Sequence, residues 1–267
     1  MLKTSKRSIK LLARMATCGW LTQSALSRDL KAIGIRESGI LLVHASLSRL
    51  GYVAGGTRSV LGGLRRALGP EGTLLLPAHS WEQVNAGLRH FDVRETRSCV
   101  GQIAEDFRCM RHVQRSIHPT HSVCAQGPDS GELLKDHELA LTPCGENTPY
   151  SRLLEADGQI LFLGAGLESN TCFHCLESLA GLAGLIREAP VEIELTDYEG
   201  RSRRREFFLH KEGILRSYSE KKDILVERGV ADEGRIGKAE AILLHGRDFR
   251  DFVLDQIDKD TEWLLSH

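Results

Sequence analysis

The sequence predicts an α/β fold, and three observations predict it. Apolar runs of strand length recur at residues 40–43, 73–76 and 160–163. The first and third run into glycine-bearing loops that open helices. Between the runs lie stretches whose apolar residues recur at helical spacing. No internal repeat or low-complexity linker divides the 267 residues, so a single domain over 1–267 is expected. Residues of about 190–240 are expected to form a small antiparallel appendage.

Residues 1–20 read as a basic, partly helical lead-in. Thr22 can cap a helix with Leu26, Leu30 and Ile33 on one face and Gly34 as its stop. After the 40–43 strand, the loop at 44–56, HASLSRLGYVAGG, carries Ser46, Ser48, Gly51, Gly55 and Gly56 and leads to Thr57. A helix then runs through Val60, Leu61, Leu64 and Leu68 to Gly69-Pro70. Glycines before a helix N-terminus let N–H groups approach a phosphate or carboxylate. A plain β-to-α connection fits the same residues, because the run is neither Gly-x-Gly-x-x-Gly nor a P-loop.

Residues 73–76 form a strand closed by Pro77. The stretch at 78–98 is polar and aromatic, with His79, Trp81, Glu82, Asn85, His90 and Phe91. It reads equally as a substrate wall and as an ordinary excursion. Residues 100–110 read as helix. In 115–127, RSIHPTHSVCAQG, Pro119 imposes an extended or turn conformation around His118. His121 and Ser122 precede a short strand at 123–125. No Gly-x-Ser-x-Gly elbow occurs, so these histidines read as ligand-positioning groups rather than the base of a serine hydrolase.

Residues 133–141 read as helix, with His137 in a structural hydrogen-bonding role. A short helix at 151–156 and an Asp157-Gly158 turn lead to the 160–163 strand. The stretch 160–183, ILFLGAGLESNTCFHCLESLAGLA, is the most informative. A glycine turn follows the strand, Ser169, Asn170 and Thr171 offer N-cap oxygens, and His174 and Glu177 share a helix face three residues apart. An imidazole beside a carboxylate suits proton transfer near neutral pH. Further on, 190–195 and 203–209 read as a hairpin through Glu199-Gly200, 217–228 as helix, 241–244 as a short strand, and 247–265 as the last helix. The basic cluster at 201–205, flanked by Glu199 and Glu206, reads as a solvated strand edge.

A formal net charge of −1 gives no nucleic-acid or anionic-membrane footprint. No secretory signal or spanning apolar run is read, and seven irregularly spaced cysteines suit a reduced, cytoplasmic setting.

Three runs together resemble the aminoglycoside 3-N-acetyltransferase family: VHASLSRLGYVAGG at 43–56, RSIHPTHSVCAQGP at 115–128 and GENTPYSRLLEADGQILFLGAGLESNTCFHCLESLA at 145–180. Their order and spacing carry the resemblance, which extends from about residue 29 to 265. It implies a three-layer α/β/α sandwich, acetyl-CoA as co-substrate without a metal, and an amino-sugar amine as acceptor, with a homodimer open to it. It also implies His174 as general base and Glu177 as its partner. Ser46, Leu47, Ser48, Val53, Gly55, Gly56 and Thr57 match the loop that receives CoA, and His118 and Ser122 match the family's His-Pro-x-x-Ser at the same cleft. His79, Trp81, Glu82 and Asn170 are the expected acceptor contacts. Glu82 and Asp92 are the only acids between Pro77 and Arg94, a poor match for a polycationic drug. A native amino sugar, a nucleotide-linked amino sugar or another metabolite amine is therefore an equal candidate.

Two other readings stand beside this one. Cys172, His174 and Cys175 could hold a metal in a hydrolase, although no second Cys-x-x-Cys or His-x-x-x-His completes a four-ligand set. A CoA- or sugar-binding module without turnover is the other.

Overall fold

The computed structural model describes residues 21–266. Helix α1 (Gln23–Ala32) is capped by Thr22, whose side chain accepts from the Ala25 N–H at 3.2 Å. Strand β1 (Ile40–Ala45) feeds a short 3-10 turn (Leu47–Arg49) and then α2 (Gly56–Leu68). Next come β2 (Thr73–Pro77), α3 (Trp81–Asn85), β3 (His90–Asp92), α4 (Gln102–Arg108), β4 (Gln114–Arg115), β5 (Val123–Gln126) and α5 (Ser130–Leu134). Helix α6 (Pro149–Glu155) opens on a capping box made by Thr148 and Ser151. Strand β6 (Gln159–Leu163) leads to α7 (Thr171–Leu179), followed by β7 (Val191–Thr196), β8 (Ser202–Phe207), α8 (Lys222–Glu227), β9 (Ala231–Ile236), β10 (Ala239–His245) and α9 (Gly246–Lys259).

Seven strands form the main sheet in the order β4-β5-β2-β1-β6-β10-β9. The central β2, β1 and β6 are parallel, and the flanking pairs are antiparallel. Period-two alternation sends successive side chains to opposite faces. Leu41, Val43, Leu74, Leu161 and Leu163 pack with α1, α2 and α4, where Leu26, Leu30, Leu64 and Phe107 are fully enclosed. Leu42, Leu75, Ile160 and Phe162 pack on the other face against α6, α7 and α9, through Leu153, Phe173, Leu176, Phe249 and Val253. The result is the helix–sheet–helix layering that the resemblance implied.

The appendage is smaller than the sequence suggested. Its three strands run β3-β7-β8, and β3 joins parallel to β7. Residues 231–236, expected within that appendage, are instead β9 at the edge of the main sheet. The 217–228 stretch also belongs to the main body, where Tyr218 and Leu225 enter the core beside Phe173. A polar edge strand reads DEGRI, with no apolar alternation to betray it; tertiary pairing with β10 makes it a strand. The helix expected over 133–141 is replaced by α5 and a 3-10 turn (His137–Leu139), with Asp136 in the left-handed region at φ 54° between them. Helix α9 ends at Lys259, and Leu264 is buried beyond it. The 201–205 cluster lies on exposed β8, as its charge pattern indicated. The 1–20 lead-in and Cys18 lie outside the described residues. Among those residues no helix is long and apolar enough to cross a membrane.

Arg115 joins the two sheets. It is buried and donates to the Ser122 hydroxyl at 2.9 Å and to the carbonyls of Ala78 and Thr96, while its guanidinium lies over the Phe91 ring on β3. Burial brings it down to about 10, still a cation at neutral pH. Arg115→Met removes these buried charge-assisted bonds, leaves the Thr96 carbonyl without this donor, and is expected to cost about 3 kcal/mol, read as a lowered urea midpoint at unchanged slope.

Candidate active site

The three parallel strands end side by side, and a cavity of about 400 Å³ opens at their C-terminal ends. This is where open α/β sheets place ligands. Its wall includes Val43, His44 and Ala45 from β1, Leu76 and Pro77 from β2, and Ala165 to Thr171 in part after β6. His79, Trp81, His121, His174, His210 and Arg216 also line it.

Helix α7 delivers the His–Glu pair. Asn170 caps it, its Oδ1 accepting from the Cys172 N–H at 3.1 Å. The Tyr218 hydroxyl donates to Glu177 Oε1 at 2.8 Å. His174 Nδ1–H donates to Glu177 Oε2 at 3.0 Å, and the Tyr218 oxygen lies 2.9 Å from the same nitrogen. Arg216 Nε donates to Glu177 Oε1 at 3.0 Å. With Nδ1 engaged on this side, Nε2 is the basic nitrogen left for the cavity. His174 keeps 21% of its side-chain exposure, whereas Glu177 keeps 3%.

Burial pushes the Glu177 carboxyl up, but His174 and Arg216 outweigh it and hold the group at about 2. Burial and the Glu177 charge raise the Tyr218 hydroxyl. The other imidazoles of the wall are driven the opposite way. Burial takes His44 and His210 down to about 3 and His79 and His121 well below the ordinary value. They stand neutral beside His174.

The other expected site residues divide. His79 lines the cavity, and its Nε2 donates to the Tyr150 hydroxyl at 2.6 Å, which donates on to the His121 carbonyl. Trp81 and Asn170 line it too, whereas Glu82 is exposed on α3 away from the wall. His118 and Ser122 are not at the cavity surface. The His118 ring accepts from the His121 N–H at 3.0 Å and stacks on His137, and the Ser122 hydroxyl donates to the Ala78 carbonyl at 2.8 Å. Both brace the wall from behind. His137 makes the structural bonds expected of it, to Ser116 and the Pro143 carbonyl.

A second cavity, of about 920 Å³, adjoins the first, and Ala165, Glu168 and Ser169 line both. Ser46 is in its wall with Arg49, Arg235 and Lys238. Gly164 turns there at φ 69°, and a Cβ on it would come within 2.7 Å of Arg49. Leu47, Ser48, Val53, Gly55, Gly56 and Thr57 line neither cavity. Val53 is buried and bridges to Leu21, and the Thr57 hydroxyl donates to Asp106. Gly55 is the left-handed N-cap of α2 at φ 87°. Six of the seven expected loop residues thus shape the segment without facing either cavity.

Cys172 and Cys175 are buried in the core on the side of α7 away from the cavity wall, and they do not join His174 in a ligand set among the described residues. The sequence reading missed His44, Glu168, His210, Glu212, Arg216 and Tyr218. Two residues of the wall, His44 and Asn170, each hold one buried side-chain atom without a hydrogen-bond partner, Nε2 and Nδ2 respectively. Such atoms are uncommon and suit a wall that meets a ligand.

A family model described as aminoglycoside 3-N-acetyltransferase matches residues 42–258. Aminoglycoside N(3)-acetyltransferase IV from Salmonella sp is 30% identical, over 89% of this chain and 88% of its own. Aminoglycoside N(3)-acetyltransferase VII from Streptomyces paromomycinus is also 30% identical, over 88% and 90%. Among solved structures, the aminoglycoside acetyltransferase AAC(3)-IVa apoenzyme superposes with a TM-score of 0.79 at 27% identity, covering 94% of this chain and 93% of that one. AAC-IIIb in a binary complex with CoASH superposes at 0.80 and 26% identity, over 90% and 97%.

Proposed function

The chain belongs to the aminoglycoside 3-N-acetyltransferase family, and from that premise we propose that His174 is the general base of its transfer reaction, aimed by Glu177 and Tyr218. The enzyme is an acetyl-CoA-dependent N-acetyltransferase acting on a small-molecule amine. One observation supports the assignment of His174 above others: its Nδ1 is fixed by Glu177 and Tyr218 while the ring borders a cavity joined to the one that holds Ser46.

Acetyl-CoA supplies an acetyl thioester when bound. Arg49, Arg235 and Lys238 beside Ser46 are the groups that would hold its phosphates. An acceptor ammonium has no lone pair and must lose a proton before it can react. His174 Nε2 takes that proton, and Glu177 stabilises the resulting imidazolium. The neutral state of His79, His121 and His210 matters here, because three more cations would repel a cationic acceptor.

The acceptor we infer is an amino sugar with more than one ammonium group, as in the aminoglycosides named for the relatives. The acids that the 78–98 stretch lacks arrive from elsewhere: Glu168 and Glu212 both border the cavity. A Glu168→Gln, Glu212→Gln double variant is expected to raise acceptor KM about 10-fold with little change in kcat, since both side chains are exposed and each pair is worth at most about 1 kcal/mol. Equal KM values for polyamino and monoamino sugars in both proteins would overturn this acceptor reading. Cytoplasmic residence also belongs to the proposal, supported by six described cysteines that are all free. Thiol release from acetyl-CoA with a panel of amino sugars, followed by mass-spectrometric location of the acetyl group, tests the whole assignment. CoA binding without turnover on any amine would favour a binding module instead.

A further inference from the structure

At the cavity wall, three residues from separate segments converge. His121 lies in the loop before β5, Cys144 in the link before α6, and His210 just after β8. One ligand atom from each falls within 4.8 Å of the others. The two rings meet edge to face with centroids 4.8 Å apart. Two imidazoles sharing a tetrahedral zinc at about 2.0–2.1 Å place their centroids roughly 5 Å apart, so the ring spacing already suits a shared ion. Capture by the metal requires the ligand atoms to close by about 1 Å, within reach of side-chain rotation.

We propose that His121, Cys144 and His210 form a binding site for a single zinc-class divalent cation. The donor set, two imidazoles and a thiol, is of the borderline-soft kind that zinc prefers over magnesium or calcium. His121 Nδ1 shares a hydrogen bond with the Thr120 hydroxyl at 2.9 Å, which fixes the ring and leaves Nε2 as the ligand. Thr120 thereby supplies the outer-shell contact that such ligands require. Binding releases the Cys144 proton to solvent, since the thiolate is the ligand.

Three protein ligands leave a fourth position, and both histidines line the acceptor cavity. The His210 ring also lies 4.6 Å from the His174 ring. A bound cation therefore clips the link before α6 and the segment after β8 to the cavity wall, and it competes with the acceptor for that space.

The test uses the full chain, stripped with a chelator and titrated with Co²⁺ as a spectroscopic stand-in for zinc, then with Zn²⁺ in competition. One equivalent of Co²⁺ is expected to give tetrahedral d–d absorption and a thiolate-to-cobalt charge-transfer band. Cys144→Ala is expected to abolish the charge-transfer band and weaken Zn²⁺ binding at least about 100-fold, because losing a ligand outweighs the 10- to 100-fold cost of losing its outer-shell partner. Cys109→Ala, at an exposed thiol, is expected to leave both unchanged. His210→Ala provides a second variant should Cys144→Ala not fold, and it is expected to lose tetrahedral absorption. Absence of a stoichiometric thiolate band, or its survival in Cys144→Ala or His210→Ala, overturns the site. None of these readings requires acetyl-CoA or an amine, so their failure is separable from failure of the transferase assignment.

Discussion

Replacing His174 by alanine is expected to lower kcat by at least ~100-fold while the Kd for CoA stays within about twofold. The loss follows from chemistry rather than folding. His174 borders the cavity and is not part of the apolar packing that holds α7 in place, which is carried by Cys172, Phe173, Cys175 and Leu176. What disappears is a base positioned for the acceptor proton, and 100-fold corresponds to about 2.7 kcal/mol of barrier. On the proposal above, the CoA phosphates would sit in the adjoining cavity beside Ser46 and Arg49, whose wall does not include the imidazole. Steady-state thiol release paired with CoA-binding calorimetry separates the two quantities. A near-normal kcat in this variant would remove His174 from the role.

Glu177→Gln is expected to act on both rate and stability. Its side chain is 3% exposed and carries three partners, His174, Arg216 and Tyr218. A neutral amide leaves the Arg216 guanidinium, itself only 14% exposed, without its anion. Removing one member of a buried ion pair costs about 3 kcal/mol, measurable by urea unfolding. The imidazolium formed during turnover also loses its counter-charge, so a kcat reduced by at least about 100-fold accompanies the stability loss. The pH dependence has a definite sign. The folded carboxyl sits at about 2 against an ordinary 4.5, so it is depressed by folding. Its contribution is complete above 4.5 and is lost as pH falls toward 2. The stability gap between wild type and Glu177→Gln should therefore shrink across that window. A gap independent of pH there would show that the carboxylate charge is not what stabilises the network.

The legible parts of the fold were those where one chain segment states its own environment. Runs such as ILLV at 40–43 and ILFL at 160–163 are buried on both faces, and continuous hydrophobicity reports that directly. Thr22 and Asn170 signal helix starts through the unpaired N–H groups of a first turn, and each caps its helix at that place. His174 and Glu177 were readable as a pair because helical spacing alone puts them together. Strand β9 was not readable, since its polar sequence becomes a strand only by pairing with β10. His118 and Ser122 show the converse: their motif was visible in the sequence, while their place behind the wall is set by packing.

By itself, the sequence determined the helix–sheet alternation, the capped helix that carries His174, and the family to which the whole belongs. Only the tertiary structure decided who stands around that imidazole. Arg216 and Tyr218 come from about 40 residues further along the chain, and Glu168 and Glu212 reach one cavity from two separate segments. Local spacing fixes what lies within a turn or a strand. Charge partners, burial and the resulting proton affinities depend on long-range packing, where segments distant in sequence exclude water from a shared space.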